Sequence, residues 1–109
     1  PQPKIMSNTI WVIKTTLPKS WREFEVTSFA QSLLDSGAAC IQHNEIVSTY
    51  KWEGEIQSEK EWSLEIKVST SNKGSVVDKL QSLHPYDVPQ LIFLQYESSD
   101  DYLSWVNSQ

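Results

Sequence analysis

The chain of 109 residues has little of several residue types that particular protein classes need. Its only cysteine is Cys40, so an internal disulfide is impossible, which suits a reducing compartment. Three glycines leave no glycine-rich loop for phosphates, and a single cysteine cannot form a Cys-x-x-Cys pair. The longest apolar runs, such as 91–94, are far shorter than the roughly 20 residues that span a bilayer. We therefore expect no membrane partner and a cytoplasmic location.

Positive charge is also scarce. Nine basic residues stand against 14 acidic residues, which gives a net charge of −5. This balance argues against a surface that follows nucleic-acid phosphates or anionic lipid headgroups. The stretch Pro1–Lys4 lacks the apolar core of a secretory signal and is predicted to be a frayed arm. The length predicts one domain, 1–109.

Hydrophobic periodicity predicts the element order β-α-β-β-α-β-α. The first helix is expected after an N-cap at Ser20, with Glu23 completing a capping box. A bulge is predicted near Asn44-Glu45 in the second strand, and Glu53-Gly54 is a turn signal. The predicted ranges are strands over 9–16, 39–52, 61–69 and 90–96, and helices over 21–36, from 71–72 to 83, and from about 99 onwards.

This order predicts an α+β fold, the ferredoxin-like split β-α-β sandwich with a four-stranded antiparallel sheet and a C-terminal helix. Both main helices are expected on one face, with the other face open. The second strand, about 14 residues or roughly 45 Å long, outruns a first strand of roughly 26 Å. The extended middle hairpin must overhang, and its edges near Tyr50 and Trp52 favour pairing with another subunit.

Five sequence elements occur in an order that resembles the CutA family of divalent-cation tolerance proteins. They are Ala39-Cys40-Ile41, Tyr50-Lys51-Trp52-Glu53-Gly54, Ile66-Lys67, His84-Pro85-Tyr86-Asp87-Val88-Pro89 and Tyr102-Leu103-Ser104-Trp105. The resemblance implies a compact homotrimer, usually cytoplasmic in bacteria, with copper tolerance and metal binding as its functions. It also implies an architecture similar to that of the PII signalling proteins.

Two functions follow as expectations. The first is a non-catalytic homotrimer that binds a divalent metal, Cu²⁺ in particular, and takes part in metal tolerance, with no organic cofactor. The alternative is a PII-like signalling trimer that binds a small anionic metabolite in a cleft between subunits. An enzyme is disfavoured because no spacing of Ser, His and Asp marks a nucleophile elbow.

The candidate metal ligands are His84 and Cys40. His84 lies on a stretch that two prolines stiffen, because the residue before each proline is held in an extended conformation. Its structural alternative is a ring that caps the preceding helix and bonds a neighbouring subunit. Cys40 is favoured as a small buried residue. Within one chain it is expected at the opposite end of the sheet from His84, and His43 is the competing imidazole.

The candidate ligand cleft comprises Lys67, Tyr86, Tyr50 and Trp52. The three aromatic residues have an alternative interpretation as interface residues. The position of Lys67 on the polar face of its strand predicts a solvated side chain. The resemblance implies instead that Lys67 is a pocket residue beside Glu61 or Glu65.

Overall fold

The computed structural model describes residues 8–109, so the predicted arm at Pro1–Lys4 lies outside the described residues. The elements follow the predicted order. They are β1 (Thr9–Pro18), α1 (Glu23–Asp35), β2 (Cys40–Trp52), β3 (Glu55–Val68), α2 (Lys73–Leu83), β4 (Ile92–Glu97) and α3 (Asp100–Asn107). Over residues 8–109, no helix has both the length and the apolar character that a membrane span requires.

The four strands form one antiparallel sheet in the order β2-β3-β1-β4. Strands β1 and β3 are central, and α1 and α2 each connect a central strand to an edge strand. This is the strand order of the ferredoxin-like fold. The predicted α+β fold with a four-stranded antiparallel sheet is confirmed.

The main core lies between one face of the sheet and helices α1 and α2. Strand β3 shows the predicted period of two, because its alternate residues from Trp62 to Val68 are all buried. They pack with Ile13 and Leu17 of β1. The helices contribute Val26, Phe29, Leu33, Val76 and Leu80. Both main helices therefore cover the same face, as the sequence predicts.

The expectation that the second face is open is wrong in part. Ile10 points to the face opposite Ile13, because their spacing of three reverses the side-chain direction on a strand. It is nevertheless buried, in a smaller cluster with Ala39 and with Val106 of α3. The C-terminal helix therefore covers one end of this second face. The rest of the face carries more polar residues.

The first helix begins later than the sequence predicts, and the predicted capping box at Ser20 and Glu23 is wrong. Arg22 is the N-cap, and its backbone N–H donates to Glu25 Oε1 at 2.8 Å. The N–H of Trp21 donates to the carbonyl of Pro18 at 3.0 Å, so a turn extends the loop by two residues. Ser20 is followed three residues later by Glu23, and Arg22 is followed three residues later by Glu25. A glutamate at this spacing can accept from the cap backbone N–H in both cases, so the local sequence did not distinguish the two N-cap positions.

The predicted bulge at Asn44-Glu45 is also wrong. These residues pair with Ser63 and Trp62 in an uninterrupted register from Cys40 to Trp52. The hairpin closes with Glu53 at φ 52° and Gly54 at φ 81°, the left-handed pair that a two-residue turn requires.

The predicted overhang of the middle hairpin is confirmed. Strand β1 pairs with β3 only as far as the Pro18–Glu61 pair, whereas β2 and β3 continue to pair up to Trp52 and Glu55. Residues 55–60 of β3 therefore have a ladder partner on one side only among the described residues. We call residues 46–60 the overhanging hairpin.

Candidate functional site

Residues 84–91 lead from α2 to β4, and we call them the connection. His84 is its first residue and the C-cap of α2, and the His84 ring contacts strand β1. Its Nε2 lies 2.9 Å from the Thr16 carbonyl oxygen and 3.0 Å from Thr15 Oγ1. Its Nδ1 accepts the backbone N–H of Tyr86 at 3.1 Å. Since a carbonyl can only accept, the neutral ring carries its proton on Nε2 and donates it to Thr16. Both ring nitrogens are therefore used within the chain.

Burial lowers the pKa of His84, and the Thr16 carbonyl and the charge of Glu61 offset part of this effect. The neutral ring is the form that fits the contacts, because a proton on Nδ1 would face the Tyr86 N–H. The ring also packs edge-on against Phe29 of α1. His84 is the C-cap of α2 by backbone position, but the bonds of its ring go to β1 and to the Tyr86 N–H of the same chain.

Tyr86 extends from the connection to strand β3. Its hydroxyl donates to Glu61 Oε2 at 2.7 Å. Burial raises the pKa of Tyr86, and the neighbouring Glu61 raises it further. A second tyrosine–carboxylate pair lies on the overhanging hairpin, where the Tyr50 hydroxyl donates to Glu59 Oε1 at 2.8 Å. The bond to Glu59 is the largest cause of the raised pKa of Tyr50.

These two pairs line one pocket of about 1070 Å³ between the overhanging hairpin and the connection. We call it the hairpin pocket. Strand register places Ser48, Tyr50 and Trp52 on the same face as Glu59 and Glu61. Its lining consists of Thr16, Ser48, Thr49, Tyr50, Trp52, Gln57, Glu59, Glu61, Pro85, Tyr86, Asp87, Val88 and Gln90.

The structure brings three of the four predicted cleft residues together and separates the fourth. Tyr50, Trp52 and Tyr86 all line the hairpin pocket, whereas Lys67 does not. Lys67 lies towards the other end of β3, opposite Cys40, and its Nζ donates to Gln42. Within one chain, Lys67 lies four positions along β3 from Ser63, the partner of Thr16. The predicted cleft lies between subunits, so the place of Lys67 in it stays a prediction.

The two predicted metal ligands are also far apart. Cys40 pairs with Lys67 and contacts Tyr102 of α3, and that contact contributes to the raised pKa of Tyr102 after its main cause, burial. His84 contacts β1 at Thr15 and Thr16, towards the opposite end of the sheet. The sequence argument that one chain cannot bring them together therefore agrees with the observed register.

The histidine and carboxylate side chains of one chain are the candidate donors for a shared metal ion over the described residues. Across residues 8–109, no group of three or more His, Cys, Asp or Glu side chains is placed to hold a metal ion. The closest pairing is His43 Nε2 with Glu23 Oε2 at 2.8 Å. The donors that the structure describes in one chain therefore form at most pairs.

Sequence reasoning missed Glu59 and Asp87 as pocket residues. A signal for Glu59 was available, because a two-residue turn at Glu53-Gly54 fixes the hairpin register and puts Glu59 on the face of Tyr50. Asp87 had no such signal, since its position depends on how the connection folds back against the hairpin.

Fold and pocket together define a small α+β protein of the ferredoxin-like class, with a hairpin that extends beyond its own sheet. The family model described as CutA1 divalent ion tolerance protein matches residues 11–109. The chain belongs to this CutA1 family of divalent ion tolerance proteins.

Similar proteins agree with this membership. The divalent-cation tolerance protein CutA of Salmonella newport (strain SL254) is 40% identical over 62 residues, which is 56% of this chain and 54% of the relative. In this match the chain spans about half the length of the curated relative. The CutA structure from Synechococcus elongatus PCC7942 has a TM-score of 0.82 at 30% identity, over 93% of this chain and 89% of that one.

Two further solved structures carry more specific descriptions. The periplasmic divalent cation tolerance protein CutA from Archaeoglobus fulgidus has a TM-score of 0.81 at 26% identity, over 91% of this chain and 96% of its own. The PII-like protein CutA from Nostoc sp. PCC 7120, in apo form, has a TM-score of 0.77 at 27% identity, over 88% of this chain and 92% of its own. The similarity extends across nearly the whole described chain.

Proposed function

We propose that this protein is a non-catalytic, cytoplasmic homotrimer that binds divalent metal, with Cu²⁺ as the preferred ion, and contributes to metal tolerance. The observation that carries the proposal is the overhanging hairpin. Val47, Trp52 and Ile56 on it are between 56% and 75% exposed, and residues 55–60 lack a second ladder partner. A one-sided strand edge on a hairpin with exposed apolar side chains supports pairing with another chain.

A complementary edge exists on the same chain. Strand β4 is the other edge of the sheet, and its Ile92, Phe93 and Tyr96 are 40–51% exposed. An overhanging strand of one copy that meets the β4 edge of the next is a head-to-tail contact, which closes into a ring when the rotation permits. A trimer is the smallest such ring beyond a pair.

Assembly also bears on metal binding, because residues 8–109 of one chain bring no three donor side chains together. Imidazole nitrogen suits Cu²⁺. Cys40, which the sequence predicts to be buried, is only partly buried. His84 and Cys40 remain the proposed ligands. The observed contacts of the His84 ring show what a metal must displace in order to bind there. A metal at Nδ1 must replace the Tyr86 N–H, so we expect modest affinity unless subunits contribute further donors.

Two measurements test this proposal. Light scattering coupled to size exclusion should give three times the subunit mass at micromolar concentration, and a mass near one subunit contradicts the assembly. Calorimetric titration of metal-free protein with Cu²⁺ and Zn²⁺ should show binding that His84→Ala weakens. If His84→Ala leaves the Cu²⁺ affinity unchanged while His43→Ala abolishes it, the metal binds at the His43–Glu23 pair instead. Fractionation of cells tests the cytoplasmic location.

The hairpin pocket supports a second candidate function, a PII-like trimer that binds a small molecule between subunits. The supporting observation is a pocket with three aromatic residues in its lining and a volume of about 1070 Å³, which is close to the upper end of the range of small-molecule sites. The expected ligand is a small anionic metabolite. Lys67, the residue expected to recognise it, is not in the lining of this pocket within one chain, so this hypothesis requires it to reach the cleft from a neighbouring subunit.

A further inference from the structure

Few hydrogen bonds hold the connection against the sheet. Within residues 85–90, the hydrogen bonds that the structure describes are those of Tyr86. Pro85 and Pro89 have no N–H to donate, and Val88 between them is 76% exposed. The position of this segment therefore depends on Tyr86 and on the two groups that Tyr86 contacts.

The first of these groups is the His84 ring, which is oriented as a metal-binding imidazole is. Its Nε2 proton is donated to the Thr16 carbonyl, so the free lone pair lies on Nδ1. Histidines that bind metal almost always donate their second ring N–H to a carbonyl or a carboxylate, because this bond fixes the tautomer and the ring orientation. Thr16 belongs to a central strand, so the Nε2 side of the ring is fixed. Nδ1 is therefore the nitrogen that faces a movable segment.

The backbone of Tyr86 covers that nitrogen, and the side chain of Tyr86 keeps it covered. The Tyr86 N–H donates to Nδ1 at 3.1 Å, and the Tyr86 hydroxyl donates to Glu61 Oε2 at 2.7 Å. Hydrogen bonds to a carboxylate are stronger than those between neutral groups. The bond to Glu61 therefore stabilises the closed connection, in which a metal does not fit at Nδ1.

We propose that Tyr86 is an autoinhibitory latch on His84, which blocks Nδ1 while the connection is closed and frees it for a metal when the connection opens. The proposal rests on the metal-binding function described above and adds a mechanism that limits it. When only a fraction of the molecules is open, the apparent affinity of the metal is reduced by that fraction. Loss of the Tyr86–Glu61 bond should therefore strengthen metal binding, although neither residue is a ligand.

Tyr86→Phe tests the latch, because it removes the hydroxyl and keeps the ring and the backbone N–H. In NMR of the assembled, metal-free protein, the amide of residue 86 should exchange with solvent about tenfold faster than in the wild type, since one hydrogen bond to a charged group is lost. The amide of Ile13, in a central strand, should exchange at an unchanged rate, which shows that the opening is local.

The same variant should bind Cu²⁺ about tenfold more tightly than the wild type in calorimetric titration, because more of its molecules are open. Tyr50→Phe is the matched control. It removes a similar bond, from Tyr50 to Glu59, that does not involve the connection. Its exchange rate at residue 86 and its Cu²⁺ affinity should equal those of the wild type.

Three results would overturn the proposal. They are an unchanged exchange rate at residue 86 in Tyr86→Phe, an equal effect of Tyr50→Phe, and a Cu²⁺ affinity that His84→Ala lowers but Tyr86→Phe does not raise. Failure of the metal-binding function has a different pattern. If His84→Ala leaves Cu²⁺ binding unchanged, the assignment of His84 as a ligand is wrong, whereas faster exchange at residue 86 in Tyr86→Phe still supports the latch.

Discussion

Trp52 offers the most direct test of assembly. Its side chain is 56% exposed in the single chain, at the end of the overhanging hairpin. An indole side chain buries up to about 250 Å², so roughly 140 Å² remains for a neighbouring subunit to cover. At about 25 cal/mol per Å², that area stabilises the assembly by about 3.5 kcal/mol per subunit.

The substitution Trp52→Ala should therefore weaken assembly much more than it weakens the fold of one subunit. We expect the trimer of the variant to dissociate at protein concentrations where the wild type remains intact. The wild-type melting temperature should rise with concentration, because folding and association are linked. Sedimentation velocity and thermal melts over two decades of concentration measure both effects.

Phe24→Ala is the matched control. Phe24 is 64% exposed, but it lies on α1 in the helical layer and not on the hairpin. Its loss should leave the mass unchanged. A wild-type melting temperature that is independent of concentration, or an equal effect of the two substitutions, would refute the assignment of the hairpin to the interface.

Two further predictions concern His84 and the glycines. Burial lowers the pKa of His84 in the folded state, so the unfolded chain binds its proton at higher pH. Its contribution to the free energy of unfolding should be complete above pH ~6.5 and fall as pH decreases through the lowered pKa, and urea melts of His84→Gln should show a flatter pH profile. Gly37 has φ 114°, and an added Cβ would lie 2.9 Å from Asn72 Cγ. Gly37→Ala should therefore cost about 2 kcal/mol or more in urea melts, whereas Gly54→Ala, at φ 81° in open space, should cost about 1 kcal/mol.

Local patterns predicted most of the architecture because each depends on neighbouring residues. The alternation from Trp62 to Val68 fixed which face of β3 is buried, and the turn at Glu53-Gly54 fixed the hairpin. The overhang followed from strand lengths alone. The start of α1 was wrong by two residues because two glutamates could serve the same capping role.

The second face of the sheet and the pocket were harder to predict, since both depend on contacts between distant segments. Only the docking of α3 explains why Ile10 is buried on a face expected to be open. The hairpin pocket depends on the Tyr86–Glu61 bond, which joins residues 25 positions apart. No periodic signal specifies such a bond, and motif resemblance identified Tyr86 without identifying its partner.

The connection after α2 links the proposed metal ligand His84 to the hairpin pocket. His84 holds it to β1 through the Thr16 carbonyl, and Tyr86 holds it to β3 through Glu61. Because His84 Nδ1 accepts the Tyr86 N–H, a proton or metal at that nitrogen must displace the residue that orients Glu61. A metal bound at His84 would therefore alter the hairpin pocket through a single intervening residue.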